Sequence, residues 1–234
     1  MNRIKLVLSS FLFILVFAVE AKSPPPGTGK ADVPANIYIM LDTSGSMGSQ
    51  ITSSNSLRYP MDVAVDSSGN MYVVEYYNHR VRKVDSAGKF IKNIGSYGFN
   101  SNGRFYYPTK IDIDSNDNIY VSDRNRIQKL SSDGVWQRNF TGTGSNSTRN
   151  IAVDSSGNVF AINSNGRDIY KWNSSGASQG GVSCGQNCYG LDEYNGTLYA
   201  TDETTRQIKK WSSSTMGTMG TWNINNHYYA RDLA

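Results

Sequence analysis

A unit of roughly 40 residues recurs along this chain, and that recurrence limits the fold more than any other feature of the sequence. Its clearest copy spans residues 60–95, PMDVAVDSSGNMYVVEYYNHRVRKVDSAGKFIKNIG. Asp62-Val63-Ala64-Val65 is short, apolar and partly β-branched. Asp66-Ser67-Ser68-Gly69-Asn70 is turn chemistry: the Asp and Ser oxygens accept from nearby backbone amides, and Gly69 tolerates positive φ. Met71-Tyr72-Val73-Val74 reads as a second strand, and residues 76–79 as a polar break. Arg80-Val81-Arg82-Lys83-Val84 alternates polar and apolar, which gives one buried and one wet face. A further turn at Asp85-Ser86-Ala87-Gly88 leads into a fourth strand over residues 89–94. Four short strands joined by tight turns predict one antiparallel sheet.

Further copies begin near Lys110, Asn150 and Gly190. Tyr72, Tyr120, Phe160 and Tyr199 match, at spacings of 48, 40 and 39. The turn acid recurs as Asp66, Asp114 and Asp154. A basic position of the third strand recurs as Arg80, Arg126, Arg167 and Arg206, followed by Lys83, Lys129, Lys171 and Lys210. Such a period, with four strands in each, is the signature of an all-β fold, the β-propeller. One sheet has two apolar faces and cannot bury both; radial neighbours bury them together. An ordinary β-sandwich would not require the same turn and basic strand at matching offsets. The blades are expected near residues 57–98, 99–145, 146–183 and 184–225, with the start of a fifth at 226–234. Propellers close with about four to eight blades, so the expectation is a chain truncated from a parent of about six.

The pattern resembles the NHL repeat family, whose consensus has a similar VD-x-x-GN-[IV]-YV-x-D-x-x-N-x-R-[IV]-x-K run. The resemblance extends over residues 57–234, and the fourth unit departs from it by lacking the Gly-Asn turn in its usual place.

Residues 1–21 read as a secretory signal peptide, with Arg3 and Lys5 before an apolar run from Leu6 to Val19 and small residues at Val19 and Ala21. The run is short for a membrane span, which needs about 20 residues. The alternative is an uncleaved anchor, the one route to a membrane. Either way the remainder is expected to be secreted or on the cell surface. Residues 22–35, with Pro24-Pro25-Pro26-Gly27, read as a linker.

Residues 36–50 begin with the apolar strand Asn36-Ile37-Tyr38-Ile39-Met40-Leu41 and run into Asp42-Thr43-Ser44-Gly45-Ser46-Met47. This resembles the first strand and D-x-S-x-S loop of a von Willebrand factor type A domain. The resemblance implies Asp42, Ser44 and Ser46 as metal contacts, and their hard oxygens suit Mg²⁺. The domain's other ligands would come from later loops. Here a propeller unit starts by Leu57, so the type A domain is interrupted or vestigial. The other reading makes residues 36–42 a stray propeller strand, because Asn36-Ile37-Tyr38-Ile39 also matches Asn118-Ile119-Tyr120-Val121.

Cys184 and Cys188 suit a local disulfide in an exported protein, and the small loop implies modest stabilisation. The junction over residues 96–107 carries Phe99, Phe105, Tyr106 and Tyr107, which serve blade packing or a binding rim. Propellers of this general type include calcium-dependent lactonases and a zinc-dependent lyase. His79 and His227 match no three-histidine metal set, and Asp62, Asp112 and Asp192 on the inner strands are scattered acids. The third-strand Arg and Lys residues are expected to form a solvated face. The net charge of +4 is too small to argue for nucleic acid, and the basic positions are spread evenly. The expected function is an exported module that binds a protein or glycan on one propeller face and requires no cofactor. The alternative is a hydrolase or lyase of the lactonase type with a divalent cation in the channel.

Overall fold

The computed structural model describes residues 57–142 and 148–224, all within the unit that runs from Ser56 to Ala234. The segments read from sequence as a signal peptide, a linker, a type A-like loop with Asp42, Ser44 and Ser46, and the start of a fifth unit lie outside the described residues.

The described chain is strand and turn throughout, in four antiparallel sheets of four strands, each sheet formed by consecutive strands in order. The first holds β1 (Pro60–Val65), β2 (Met71–Glu75), β3 (Arg80–Val84) and β4 (Phe90–Ile94). The second holds β5 (Pro108–Ile113), β6 (Ile119–Asp123), β7 (Arg126–Leu130) and β8 (Trp136–Thr141). The third holds β9 (Thr148–Val153), β10 (Val159–Asn163), β11 (Asp168–Trp172) and β12 (Ser178–Ser183). The fourth holds β13 (Cys188–Tyr194), β14 (Thr197–Asp202), β15 (Gln207–Ser212) and β16 (Thr218–Asn223). The first strands lie side by side in the order β1, β5, β9, β13, so each sheet is a blade with its first strand innermost. This is the propeller arrangement that the period predicts.

Three apolar layers fill the spaces between blades. Tyr72, Val74 and Val81 of the first blade meet Ile111, Ile119 and Val121 of the second. Tyr120, Ile127 and Phe140 then meet Ile151, Val159 and Trp172, and Phe160, Ile162 and Ile169 meet Leu191, Leu198 and Trp211. Each fully buried side chain of this size contributes about 1.5–3 kcal/mol. No blade could claim that energy alone, because each layer draws residues from both of the blades it joins.

The recurrent turn is a small polar machine. The Asp66 Oδ1 accepts from the backbone N–H groups of Ser68 and Asn70, at 3.0 and 2.8 Å. Its Oδ2 accepts from Asn70 Nδ2 and from the buried hydroxyl of Tyr72. Lys83, opposite Tyr72 across the β2–β3 ladder, places its Nζ 3.2 Å from that same oxygen and 4.6 Å from the Tyr72 ring centre. Asp114, Asn118, Tyr120 and Lys129 repeat the arrangement in the second blade. Lys171 faces Phe160, which has no hydroxyl, and instead donates to the carbonyls of Ser213 and Ser214 in the next blade. The expectation of a solvated lysine face is therefore corrected: these ammonium groups are tucked against a ring, a carboxylate or a neighbouring blade. In the fourth blade the turn shrinks to Asn195-Gly196, both at positive φ between Tyr194 and Thr197. Asn-Gly is the sequence that such a two-residue hairpin demands, so the missing Gly-Asn is a different turn and not a lost one.

The arginine register also needs correction. Arg80 and Arg126 open β3 and β7, whereas β11 and β15 open on Asp168 and Gln207. Arg167 and Arg206 sit one residue earlier, in the loops.

Candidate ligand-binding face

The loops joining second to third strands and the junctions between blades emerge on one side of the propeller. On that side, around the first two blades, aromatic side chains form a continuous row. Tyr59 contacts Tyr77 at 5.1 Å between ring centres, and Tyr77 lies 6.3 Å from Tyr107. Tyr107 is 4.5 Å from His79, and His79 is 5.0 Å from Tyr97. Tyr97 reaches Tyr106 at 5.9 Å, and Tyr106 reaches Phe99 at 5.3 Å. The Arg124 guanidinium closes the row, 4.4 Å from the Phe99 ring centre. Tyr76 fills the space beneath, 4.7 Å from Tyr107. Tyr59, Tyr77, Tyr97 and Phe99 are 57%, 50%, 60% and 48% exposed, so the row is a surface and not part of the core.

Buried acids set this surface from below. Glu75, at the end of β2, is fully buried and accepts from the Arg58 backbone N–H and Asn78 Nδ2. Arg80 and Arg82 neutralise it. Asp123, at the equivalent end of β6, accepts from the Tyr106 backbone N–H at 2.9 Å and is paired with Arg126. Arg126 and Gln128 also donate to the Arg104 carbonyl, which pins the junction. His79 Nδ1 accepts from the Tyr107 N–H at 3.0 Å, which requires that nitrogen to carry no proton. Burial holds the His79 imidazole below its ordinary pKa, in keeping with that bond. Phe105 is the exception among the junction aromatics: it is fully buried beneath Gly95 and belongs to the first inter-blade layer.

Tyr59, His79, Tyr107 and Arg124 all adopt positive φ, between 52° and 56°. Bulky residues rarely hold this conformation, and it persists only where the surroundings impose it. The face is thus held in a strained, fixed shape.

The inner acids have a different role from the one their scatter suggests. Asp62 Oδ2 accepts from the Ile111 N–H of the next inner strand at 3.0 Å, with Lys110 Nζ 3.8 Å away. Asp112 accepts from the Ile113 N–H at 2.7 Å and from the Val153 N–H of the next inner strand. These acids are braces between blades. Burial, opposed by those two amides and reinforced by Asp192 and Asp62, raises the Asp112 pKa to about 7. Among the described residues no three His, Cys, Asp or Glu side chains cluster so as to hold a metal ion. His79, which the sequence assigned to no three-histidine metal set, is a structural acceptor on the aromatic face. The sulfurs of Cys184 and Cys188 are joined in a disulfide, just before β13 and within its first residue. The sequence offered the junction aromatics Phe99, Tyr106 and Tyr107 for a binding rim, but read residues 76–79 as a polar break; nothing in it joined Tyr76 and Tyr77 to that junction some 30 residues on.

Comparison with known proteins bears on the repeat first. Residues 57–84 match the NHL repeat. The match spans the inner strand, the Asp66 turn and the Lys83 strand, and the structure repeats the same four-stranded sheet in the blades that follow. No curated protein sequence matches the chain significantly. Among solved structures, a chain of a nidogen/laminin complex is similar, with 16% identity, a TM-score of 0.62, and coverage of 82% of this chain and 69% of that one. A catalytically inactive virginiamycin B lyase from Staphylococcus aureus with quinupristin is similar too, at 15% identity and a TM-score of 0.59. That match covers 86% of this chain and 64% of the lyase. A streptogramin B lyase gives 12% identity, a TM-score of 0.57, and coverage of 85% and 62%. The present chain therefore spans less than two thirds of either lyase. Identities this low establish the propeller fold and leave the ligand to the site itself.

Proposed function

We propose that this chain is an exported or cell-surface binding module and that the aromatic row from Tyr59 to Arg124 is its contact surface. The observation that carries the reading is the exposure of Tyr59, Tyr77, Tyr97 and Phe99 on a conformationally fixed platform. Exposed aromatic patches of this kind are where binding energy concentrates in recognition surfaces. The signal-like residues 1–21 support an extracytoplasmic location. The likeness to a chain from a nidogen/laminin complex supports a partner-binding use of the fold. The reading requires no cofactor. The alternative hydrolase finds less support: Asp62 and Asp112 are engaged as braces, and the described residues supply no cation-holding cluster.

The test is retention of the full-length protein on an array of immobilised matrix proteins and glycans. Wild type is expected to be retained, and a Tyr77→Ala/Tyr97→Ala variant of unchanged melting temperature is expected to lose retention. In parallel, a panel of lactones and esters is assayed with and without chelator. Chelator-sensitive turnover, or retention indifferent to the double substitution, would overturn the reading.

A further inference from the structure

The charge around the aromatic row is one-sided. Arg58 adjoins Tyr59 in the chain, Arg104 packs its side chain over Gly98 between Tyr97 and Phe99, and Arg124 stacks on Phe99 and Tyr106. None of these guanidinium groups forms a salt bridge among the described residues, and Arg58 and Arg104 are exposed. The acids nearest to them, Glu75 and Asp123, are buried and already neutralised by Arg80, Arg82 and Arg126. Among the described residues the face therefore offers flat rings, phenol hydroxyls and unpaired cations, with no surface carboxylate beside them to meet a cationic partner.

Four of its backbone donors are also spent. The N–H of Tyr76 goes to the Tyr59 carbonyl, that of His79 to the Tyr76 carbonyl, that of Tyr106 to Asp123 and that of Tyr107 to His79. An extended peptide that binds by adding a strand needs such donors free. A saccharide does not. Its C–H faces lie against aromatic rings, its hydroxyls exchange hydrogen bonds with phenols, and its acidic groups take the forked donors of arginine.

We propose that the aromatic face binds an acidic polysaccharide, its sugar rings lying along the tyrosine row and its uronate or sulfate groups held by Arg58, Arg104 and Arg124. The proposal rests on the binding reading above and names the ligand class for that surface. The full-length protein is titrated calorimetrically, at low salt, with dextran sulfate, polygalacturonate, uncharged dextran and poly-L-glutamate. Binding of dextran sulfate, polygalacturonate or both is expected, and the one that binds identifies sulfate or uronate as the recognised group. Added salt is expected to weaken it. Uncharged dextran and poly-L-glutamate should each bind at least about tenfold more weakly, as should the Tyr77→Ala/Tyr97→Ala variant toward the acidic polymer. The Arg58→Gln/Arg104→Gln/Arg124→Gln variant should abolish the charge preference, with thermal melts confirming that both variants are folded. Poly-L-glutamate binding as tightly as the polysaccharides would overturn the proposal in favour of an acidic peptide, and ring variants that bind normally would reduce it to bulk charge. Absence of binding to both acidic polysaccharides would also overturn it. Ring-dependent retention on a matrix protein would then still uphold the broader binding reading.

Discussion

Replacing Asp112 with asparagine should remove most of one component of the pH dependence of stability. In the native chain the Asp112 carboxyl holds its proton up to about pH 7, chiefly because burial disfavours the charge, whereas its ordinary value is 3.8. Between those values the native state binds a proton that the unfolded state has released. The stabilisation is thus fully present below about pH 4 and is lost as pH rises to about 7. Three units correspond to about 4 kcal/mol at most, since each unit is worth about 1.4 kcal/mol. Asp112 is not wholly enclosed, and solvent screening brings the expected effect to about 2 kcal/mol. Asparagine fits the local geometry, because Asn150 already makes the same bond, through Oδ1, to the N–H of the following residue. The brace to the Val153 N–H is the contact at risk, and its loss adds a pH-independent offset of about 1 kcal/mol. Urea unfolding of wild type and Asp112→Asn at pH 4, 5.5, 7 and 8 measures the difference directly. The variant should be less stable than wild type at pH 4 and at least as stable at pH 8. A difference between the two proteins that stays constant from pH 4 to pH 8 would refute the reasoning.

Three further outcomes are expected. Asp66→Ala should cost about 2–4 kcal/mol in thermal or urea unfolding, because it strands the Tyr72 hydroxyl and the Lys83 ammonium together. Burial alone would raise the Asp66 pKa, but the hydrogen bonds from Asn70 and Tyr72 and the Lys83 ammonium outweigh it and hold it below the ordinary value; the wild-type contribution is therefore present above about pH 4 and disappears as pH falls through the lowered value. Gly95→Ala should destabilise by about 1–3 kcal/mol, since Gly95 has positive φ and a Cβ there would meet the Phe105 ring. His79 should titrate below its ordinary pKa of 6.5 by NMR, and its protonation should release the Tyr107 N–H. Stability from that bond is then present above about pH 6.5 and lost as pH falls through the depressed value; a His79 that titrates above 6.5 would contradict the bond.

Much of the architecture was readable because it is written in local chemistry repeated at a fixed period. Asp, Gly and Asn in one turn, followed by a β-branched and aromatic strand, specify a hairpin wherever they occur. The fourth turn escaped that pattern yet obeyed the same rule, since Asn195-Gly196 encodes a tighter hairpin. The arginine offsets misled because a repeated letter need not keep a repeated position. Arg80 stands three residues before Lys83 and Arg167 four before Lys171, and a strand opens at the first but not at the second.

The destinations of the polar side chains could not be read in the same way. A lysine alternating with apolar residues signals a wet face when the sheet stands alone, but a blade has no free face where another blade covers it. Lys171 reaches carbonyls 42 and 43 residues away, and Asp62 reaches an amide 49 residues away. The aromatic row arises in the same manner, when the loop after β2 and the junction before β5 are brought to one side. Sequence by itself determined the blade, because hydrogen bonds and turn angles act over a few residues. The stacking of blades decided which charges became braces and which rings became a surface, because burial depends on what lies opposite in space.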